Sequence, residues 1–269
     1  MDIDGLSKNT FTESPPKRTR KKVGVAFGGG GLRGPAHVGV LKVFAEYNIP
    51  VDFVAGTSIG SAVAALYASG YDWEKLDFMF SKYDIESILK VRPNRKGFIP
   101  AQGYIDLIRT CTGGKNIEEM DIPLKIVAVD LISYKKIVFD RGDTALAVRA
   151  SSAIPGVFTP VRMGNMLLVD GFLLDNCPGG VVRSMGADVV IAISLYAPDF
   201  SEPNNIFDII DRSLHVATSS FQEIDGDVIM RPIPSYTPPL DPRGIPQAFA
   251  WGEKCAREHI EEITRLIGR

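Results

Sequence analysis

Long apolar runs are missing from this chain. None approaches the roughly 18 to 20 residues needed to cross a bilayer, and the opening MDIDGLSKNTFTESPP lacks the apolar stretch of a signal peptide. Cysteine is scarce. Cys111, Cys177 and Cys255 are odd in number, far apart and in no CxxC pair, which speaks against a disulfide framework and for a reducing compartment. A cytoplasmic protein is therefore expected. An excess of one charge is also missing: 30 Lys and Arg face 32 Asp and Glu, so no nucleic-acid partner is expected. Histidine is rarest in its consequences, because only His37, His215 and His259 are available to any scheme that needs an imidazole base.

What is present is an ordinary globular balance. Of 269 residues, 45% are hydrophobic and 23% charged, enough to bury one large α/β core. Residues 1–22 are polar, contain Pro15-Pro16 and end in Lys17, Arg18, Arg20, Lys21 and Lys22, so they read as a disordered basic leader. Such a cluster is usually a solvated tail, and it also allows peripheral contact with anionic lipid headgroups. Residues 23–269 form the folded domain. The sequence leaves its oligomeric state open.

Two strand–glycine–helix units open that domain. Val23 to Phe27 is a buried-type strand, followed by glycines 28 to 31, Leu32, Arg33 and Gly34, then a helix from Pro35 to about Tyr47. Asp52 to Ala55 is a second strand running into Gly56-Thr57-Ser58-Ile59-Gly60 and an alanine-rich helix to about Ser69. Further on, residues 72 to 90 and Gly103 to Cys111 have helical spacing, and Leu124–Leu131 with Lys136–Phe139 reads as an antiparallel hairpin. The apolar face of 72 to 90 is expected to pack on the core rather than receive acyl chains or a membrane. Helices follow at about Thr144–Ala150, Gly179–Met185, Ile206–Phe221 and Gln247–Ile267. Strands follow at Val161–Met163, Leu167–Val169, Asp188–Leu195 and, at an edge, Asp227–Met230, with a proline-rich loop reaching Pro246. The alternation implies a mainly parallel, mixed sheet covered on both faces.

The second turn has the form G-x-S-x-G. Gly56 and Gly60 carry no side chains to clash in a sharp elbow, so Ser58 can stand exposed at the start of a helix whose free N–H groups favour developing negative charge. The bland alternative is an ordinary helix cap. Four glycines in a row suit a loop whose amides face one small anionic centre, as in an oxyanion hole. The same loop, Gly29-x-Gly31-x-x-Gly34, also satisfies a dinucleotide fingerprint, with Asp52 at about the distance of a ribose-binding acid. However, such an acid should end its strand, and Asp52 begins one. The phosphate-cradle reading is therefore second.

A serine hydroxyl needs a base. His37 precedes the serine, whereas His215 and His259 lie within amphipathic helices, where a histidine is more often structural. A histidine triad on one of the latter two stays as the rival. Asp170 is the better candidate, since it follows the strand MLLV and precedes Gly171, and its carboxylate can project into a cleft. Partial burial would lift its pKa from about 3.9 toward a useful range.

GGGGLRGPAHVGVLKVF, GTSIG, ASSAIPGVFTPV and VDGFLLDNCPGGVVRSMGADVV together resemble the patatin-like phospholipase family over nearly all of residues 23–269. The resemblance implies a three-layer α/β/α sandwich and hydrolysis of lipid acyl esters by a Ser–Asp dyad, with neither cofactor nor metal. By position, Ser58 is then the nucleophile and Asp170 the base. Amides among Gly29, Gly30 and Gly31 form the oxyanion hole, and Arg33 steadies that loop or the lipid's phosphate. Asn176 and Pro178 match the segment after the aspartate. Two positions depart from the family pattern: Phe172 replaces a small residue, and Leu32 an alanine. Both bear on substrate size.

Overall fold

A computed structural model describes residues 20–82, 102–198, 202, 206–219, 222–234 and 245–269. Most of the leader, the far half of the helix expected over 72 to 90, and the proline-rich stretch from 235 to 244 lie outside the described residues.

An eight-stranded sheet is linked by hydrogen-bonded pairs along the path β5-β6-β3-β2-β1-β7-β8, with β4 pairing β3 off that path. The strands are β1 (Val23–Phe27), β2 (Phe53–Thr57), β3 (Leu124–Asp130), β4 (Lys135–Phe139), β5 (Val161–Met163), β6 (Met166–Asp170), β7 (Val189–Ile193) and β8 (Val228–Met230). Pairs among β8, β7, β1, β2 and β3 are parallel, while β4, β6 and β5 join antiparallel. The expected mixed sheet and its hairpin are both present, and β8 is an edge strand.

Alternation along the strands builds the layers. Val23, Val25 and Phe27 face one side with Val54, Ile126, Ile191 and Ile193, where they meet α1 (Pro35–Glu46), α2 (Ile59–Ala68) and α8 (Ile245–Ile267). Ala26, Ala55, Val127, Val190 and Ala192 face the other side and pack on Val181 and Val182 of α6 (Gly179–Ser184). With period-two side chains, one sheet therefore fills two apolar layers, and the result is an α/β/α sandwich. On α3 (Trp73–Lys82), Leu76 is buried and Trp73, Met79 and Phe80 pack against the core, as expected, whereas Phe78 points outward at 62% exposure. The remaining helices are α4 (Gln102–Cys111), α5 (Thr144–Ser151) and α7 (Ile206–Ser219).

Two boundaries differ from the sequence reading in a way that matters. β2 does not stop at Ala55 but continues through Gly56 and Thr57, because both find ladder partners on β3. β6 likewise includes Asp170 itself, paired with Ala128.

Candidate active site

The sheet sets up the site by how it uses β3. Ile126 and Val127 pair with both β2 and β4, so those two strands lie on opposite sides of β3. Ala128 to Asp130 pair with both β4 and β6, so β6 shares the side of β2. The two strands run toward each other in one lane. β2 ends at Thr57 opposite Val127, and β6 ends at Asp170 opposite Ala128.

Ser58 is the single residue between β2 and α2, with φ 54° and ψ −127°. Positive φ in a side-chain-bearing residue costs on the order of 1–3 kcal/mol and persists only where the surroundings impose it. They do so here by close packing. A Cβ on Gly60 would run into the carbonyls of Phe27 and Gly28, and one on Gly56 into the Gly60 carbonyl. The elbow is also tied by hydrogen bonds. Ser58 N donates to Ser151 Oγ at 2.8 Å, and that hydroxyl donates onward to the Val127 carbonyl at 2.6 Å. Ser61 Oγ donates to the Ser58 carbonyl at 2.6 Å.

The Ser58 hydroxyl donates to Asp170 Oδ2 at 2.6 Å. The other carboxylate oxygen, Oδ1, accepts from Phe172 N at 3.0 Å, in a 3-10 turn over Gly171–Leu173. Asp170 is only 1% exposed. Burial pushes its pKa up to about 7, outweighing the opposing hydrogen bonds from Ser58 and Phe172.

The glycine loop lies beside this pair. Gly28 N donates to the Ile193 carbonyl, and Gly29 N to the Asn176 carbonyl at 3.0 Å. The Gly29 amide is thus already engaged, which narrows the expected oxyanion donors to Gly30 and Gly31. What Gly29 contributes is closeness: a Cβ there would stand 2.6 Å from Asn176 Oδ1 and 3.2 Å from Ser58 Cβ. Arg33 is buried and its Nε donates to the Gly30 carbonyl at 2.9 Å. Since N–H and C=O point oppositely across a trans peptide, holding that carbonyl also aims the Gly31 N–H. Gly34 and Gly171 are as crowded: a Cβ on Gly34 would stand 2.5 Å from Ile59 Cγ1, and one on Gly171 2.5 Å from the Val127 carbonyl oxygen.

Gly29, Gly30, Gly31, Arg33, Ser58 and Asp170 line one small pocket of about 50 Å³, together with Ile154, Phe172, Asn176, Tyr196 and His215. Phe172, Asn176, Tyr196 and His215 also line an adjoining groove of about 790 Å³. The departure at Phe172 therefore puts an aromatic ring where pocket and groove meet.

Backbone carbonyls engage His37 and His259, while His215 lines the pocket of Ser58 and Asp170. His37 is fully buried, with Nε2 2.8 Å from the Gly28 carbonyl and its ring edge-on to Phe27; burial pushes its pKa down to about 4, so it stays neutral. His215 stands 5.5 Å from the Phe172 ring and 5.0 Å from the Tyr196 ring, and His259 Nδ1 lies 2.8 Å from the Cys255 carbonyl. The hydroxyl partner of Ser58 is the aspartate. Asp52 sits at the opposite end of β2 from the glycine loop, where it accepts from Arg20 and from Val23 N. The dinucleotide reading thereby loses its ribose acid.

Sequence reasoning missed Ser151 as an individual residue, although it lies inside ASSAIPGVFTPV. A serine closing the helix TALAVRAS, at the head of that motif, was the available signal. Among the described residues no cluster of His, Cys, Asp or Glu is arranged to hold a metal ion, and no helix is long and apolar enough to cross a membrane.

A family model described as Patatin-like phospholipase matches residues 25–182. An uncharacterized NTE family protein of Mycobacterium tuberculosis is 32% identical over 210 residues, covering 74% of this chain and 58% of that protein. Patatin-like phospholipase domain-containing protein 7 of Rattus norvegicus is 30% identical over 200 residues, covering 71% of this chain and 15% of that protein. The chain thus spans little more than half the length of the mycobacterial relative and a small part of the mammalian one. Among solved structures, VipD from Legionella pneumophila superposes with a TM-score of 0.65 at 13% identity, covering 90% of this chain and 67% of that one. The type III effector protein ExoU gives 0.53 at 15% identity, covering 91% and 53%. At these identities the structural likeness is one of fold.

Proposed function

Because the chain belongs to the patatin-like phospholipase family, we propose that residues 23–269 are a lipid acyl hydrolase of the phospholipase A or lysophospholipase type, working through a dyad of Ser58 and Asp170. The observation that carries this reading is the 2.6 Å hydrogen bond from Ser58 Oγ to a carboxylate that burial has brought to a pKa of about 7. An ordinary carboxylate is too weak a base at neutral pH, whereas one with a pKa near the working pH balances ionisation against proton affinity.

In the proposed cycle the Asp170 carboxylate takes the Ser58 proton as Oγ adds to the acyl carbonyl. The carbonyl oxygen becomes an oxyanion held by the amides of Gly30 and Gly31, each such donor being worth about 10²–10³ in turnover. As the tetrahedral intermediate collapses, Asp170 returns the proton to the departing alcohol, a lysolipid or glycerophosphate alcohol, and an acyl-serine remains. Water then gives a proton to Asp170 while its oxygen adds to the acyl carbon. Collapse releases the fatty acid, and the proton goes back to Ser58 Oγ. These steps use protein groups and water alone.

Arg33 supports the donors by holding the Gly30 carbonyl. The aromatic edge of Phe172 and Tyr196 screens the dyad from bulk water, which sustains the raised pKa. Contact with a membrane surface, where such substrates reside, fits this reading.

Ser58→Ala and Asp170→Asn, each checked for folding by circular dichroism, should abolish release of p-nitrophenol from p-nitrophenyl butyrate and of fatty acid from phospholipid vesicles. Wild-type rates in either variant would defeat the dyad.

A further inference from the structure

Beyond the dyad, one side chain outside every motif holds the segment that connects its parts. Gln222 lies between α7 and β8 and reaches the loop that follows Asp170. Its Nε2 donates to the Phe172 carbonyl at 2.7 Å, and its Oε1 accepts from Asn176 N at 2.9 Å. We propose that Gln222 is a positioning residue for the hydrolytic site, setting the aspartate turn and the glycine loop in one register. The proposal rests on the reading of Ser58 and Asp170 as the dyad.

Each end of the clamp leads to a reacting group. The Phe172 residue held through its carbonyl is the one whose N–H reaches Asp170 Oδ1 at 3.0 Å. The Asn176 residue held through its amide is the one whose carbonyl receives Gly29 N at 3.0 Å. Between them, the Asp175 carbonyl accepts from Thr57 Oγ1 at 2.8 Å, immediately before the nucleophile. The loop therefore touches base, oxyanion loop and elbow, and Gln222 spans it.

The chemistry calls for an amide. Gln222 donates to one backbone group and accepts from another, which a primary amide does with a single side chain. A glutamate in its place can still accept from Asn176 N but has no proton for the Phe172 carbonyl. A methionine of similar length does neither. Gln222 is half-buried and lines the open groove beside the pocket, so both replacements are sterically mild.

The experiment compares Gln222→Met and Gln222→Glu with the parent on p-nitrophenyl butyrate across pH. If Gln222 positions the site, kcat falls about tenfold while KM stays within about twofold, because small misplacements act mainly on the transition state. The acid limb of the profile also moves to higher pH, since a loosened Phe172 N–H favours the Asp170 carboxylate less. The limb should move at least as far in the glutamate variant, which adds a nearby negative charge. A drop in Tm with unchanged kcat and pH limb would overturn the proposal, as would full activity in the folded glutamate variant, which decides the matter should the methionine variant fail to fold. Asp170→Asn is run alongside. Turnover lost there but intact in both Gln222 variants removes only the positioning role, whereas turnover kept in Asp170→Asn removes the dyad and this proposal with it.

Discussion

Thr57 and Asp170 end two strands that run head-on along the same side of β3, opposite Val127 and Ala128. Consecutive residues of β3 thus deliver the elbow serine and the aspartate to the same point. A backbone register, more than any contact between side chains, sets the Ser58–Asp170 distance.

Burial of Asp170 makes activity and stability depend on pH in opposite directions. With a folded-state pKa of about 7, the carboxylate that accepts a proton accumulates only as pH rises, so kcat/KM for a short-chain ester should climb through neutrality and level off above it. The neutral acid is what the buried site prefers. Its stabilising contribution is complete below the unfolded pKa of about 4 and is lost as pH rises through about 7. Asp170→Asn should abolish that slope and unfold later than the parent at pH 8, by on the order of 2–4 kcal/mol in urea titrations. A parent with flat stability between pH 4 and 8 would contradict the raised pKa.

Strain at the elbow can be measured directly. Ser58 holds φ 54°, a region that glycine enters freely and alanine does not. Of two inactive variants, Ser58→Gly should be more stable than Ser58→Ala by about 1 kcal/mol, the reverse of their order in an ordinary helix. Equal midpoints in urea would mean that the turn imposes no cost.

Ser151 fills a gap between two backbone groups, accepting from Ser58 N and donating to the Val127 carbonyl. Ser151→Ala removes both bonds and leaves the buried Ser58 amide without its acceptor, so it should cost about 1–3 kcal/mol of stability. It should also lower kcat, since the elbow that aims Oγ loses its tie. Replacement by threonine, which keeps the hydroxyl, should recover part of both; if alanine and threonine behave alike, the hydroxyl is not what matters.

The legible part of this protein was local. The unbroken apolar run from Val23 to Phe27 announced a strand buried on both faces, and the small residues around Ser58 announced a corner that nothing larger could turn. The likeness of four ordered motifs to one family supplied fold and family together. What stayed hidden were relations across distance. Ser151 meets Ser58 from 93 positions away, and Gln222 reaches Asn176 from 46. The Gly29 amide, one of three candidates by sequence, is engaged by Asn176 in the fold, and Asp52, already second-best as a ribose acid because it begins its strand, lies at the end of β2 away from the glycine loop.

The two glycine corners, the layers and the supply of a serine and an aspartate follow from the order of residues, because sterics and period-two or helical patterning act between near neighbours. Asp170 was the preferred partner on paper, but packing alone brings its carboxylate within 2.6 Å of the Ser58 hydroxyl, engages the Gly29 amide and buries the carboxylate deeply enough to bring its pKa to about 7. Those depend on strand register and on the exclusion of water, which exist only once distant segments have packed.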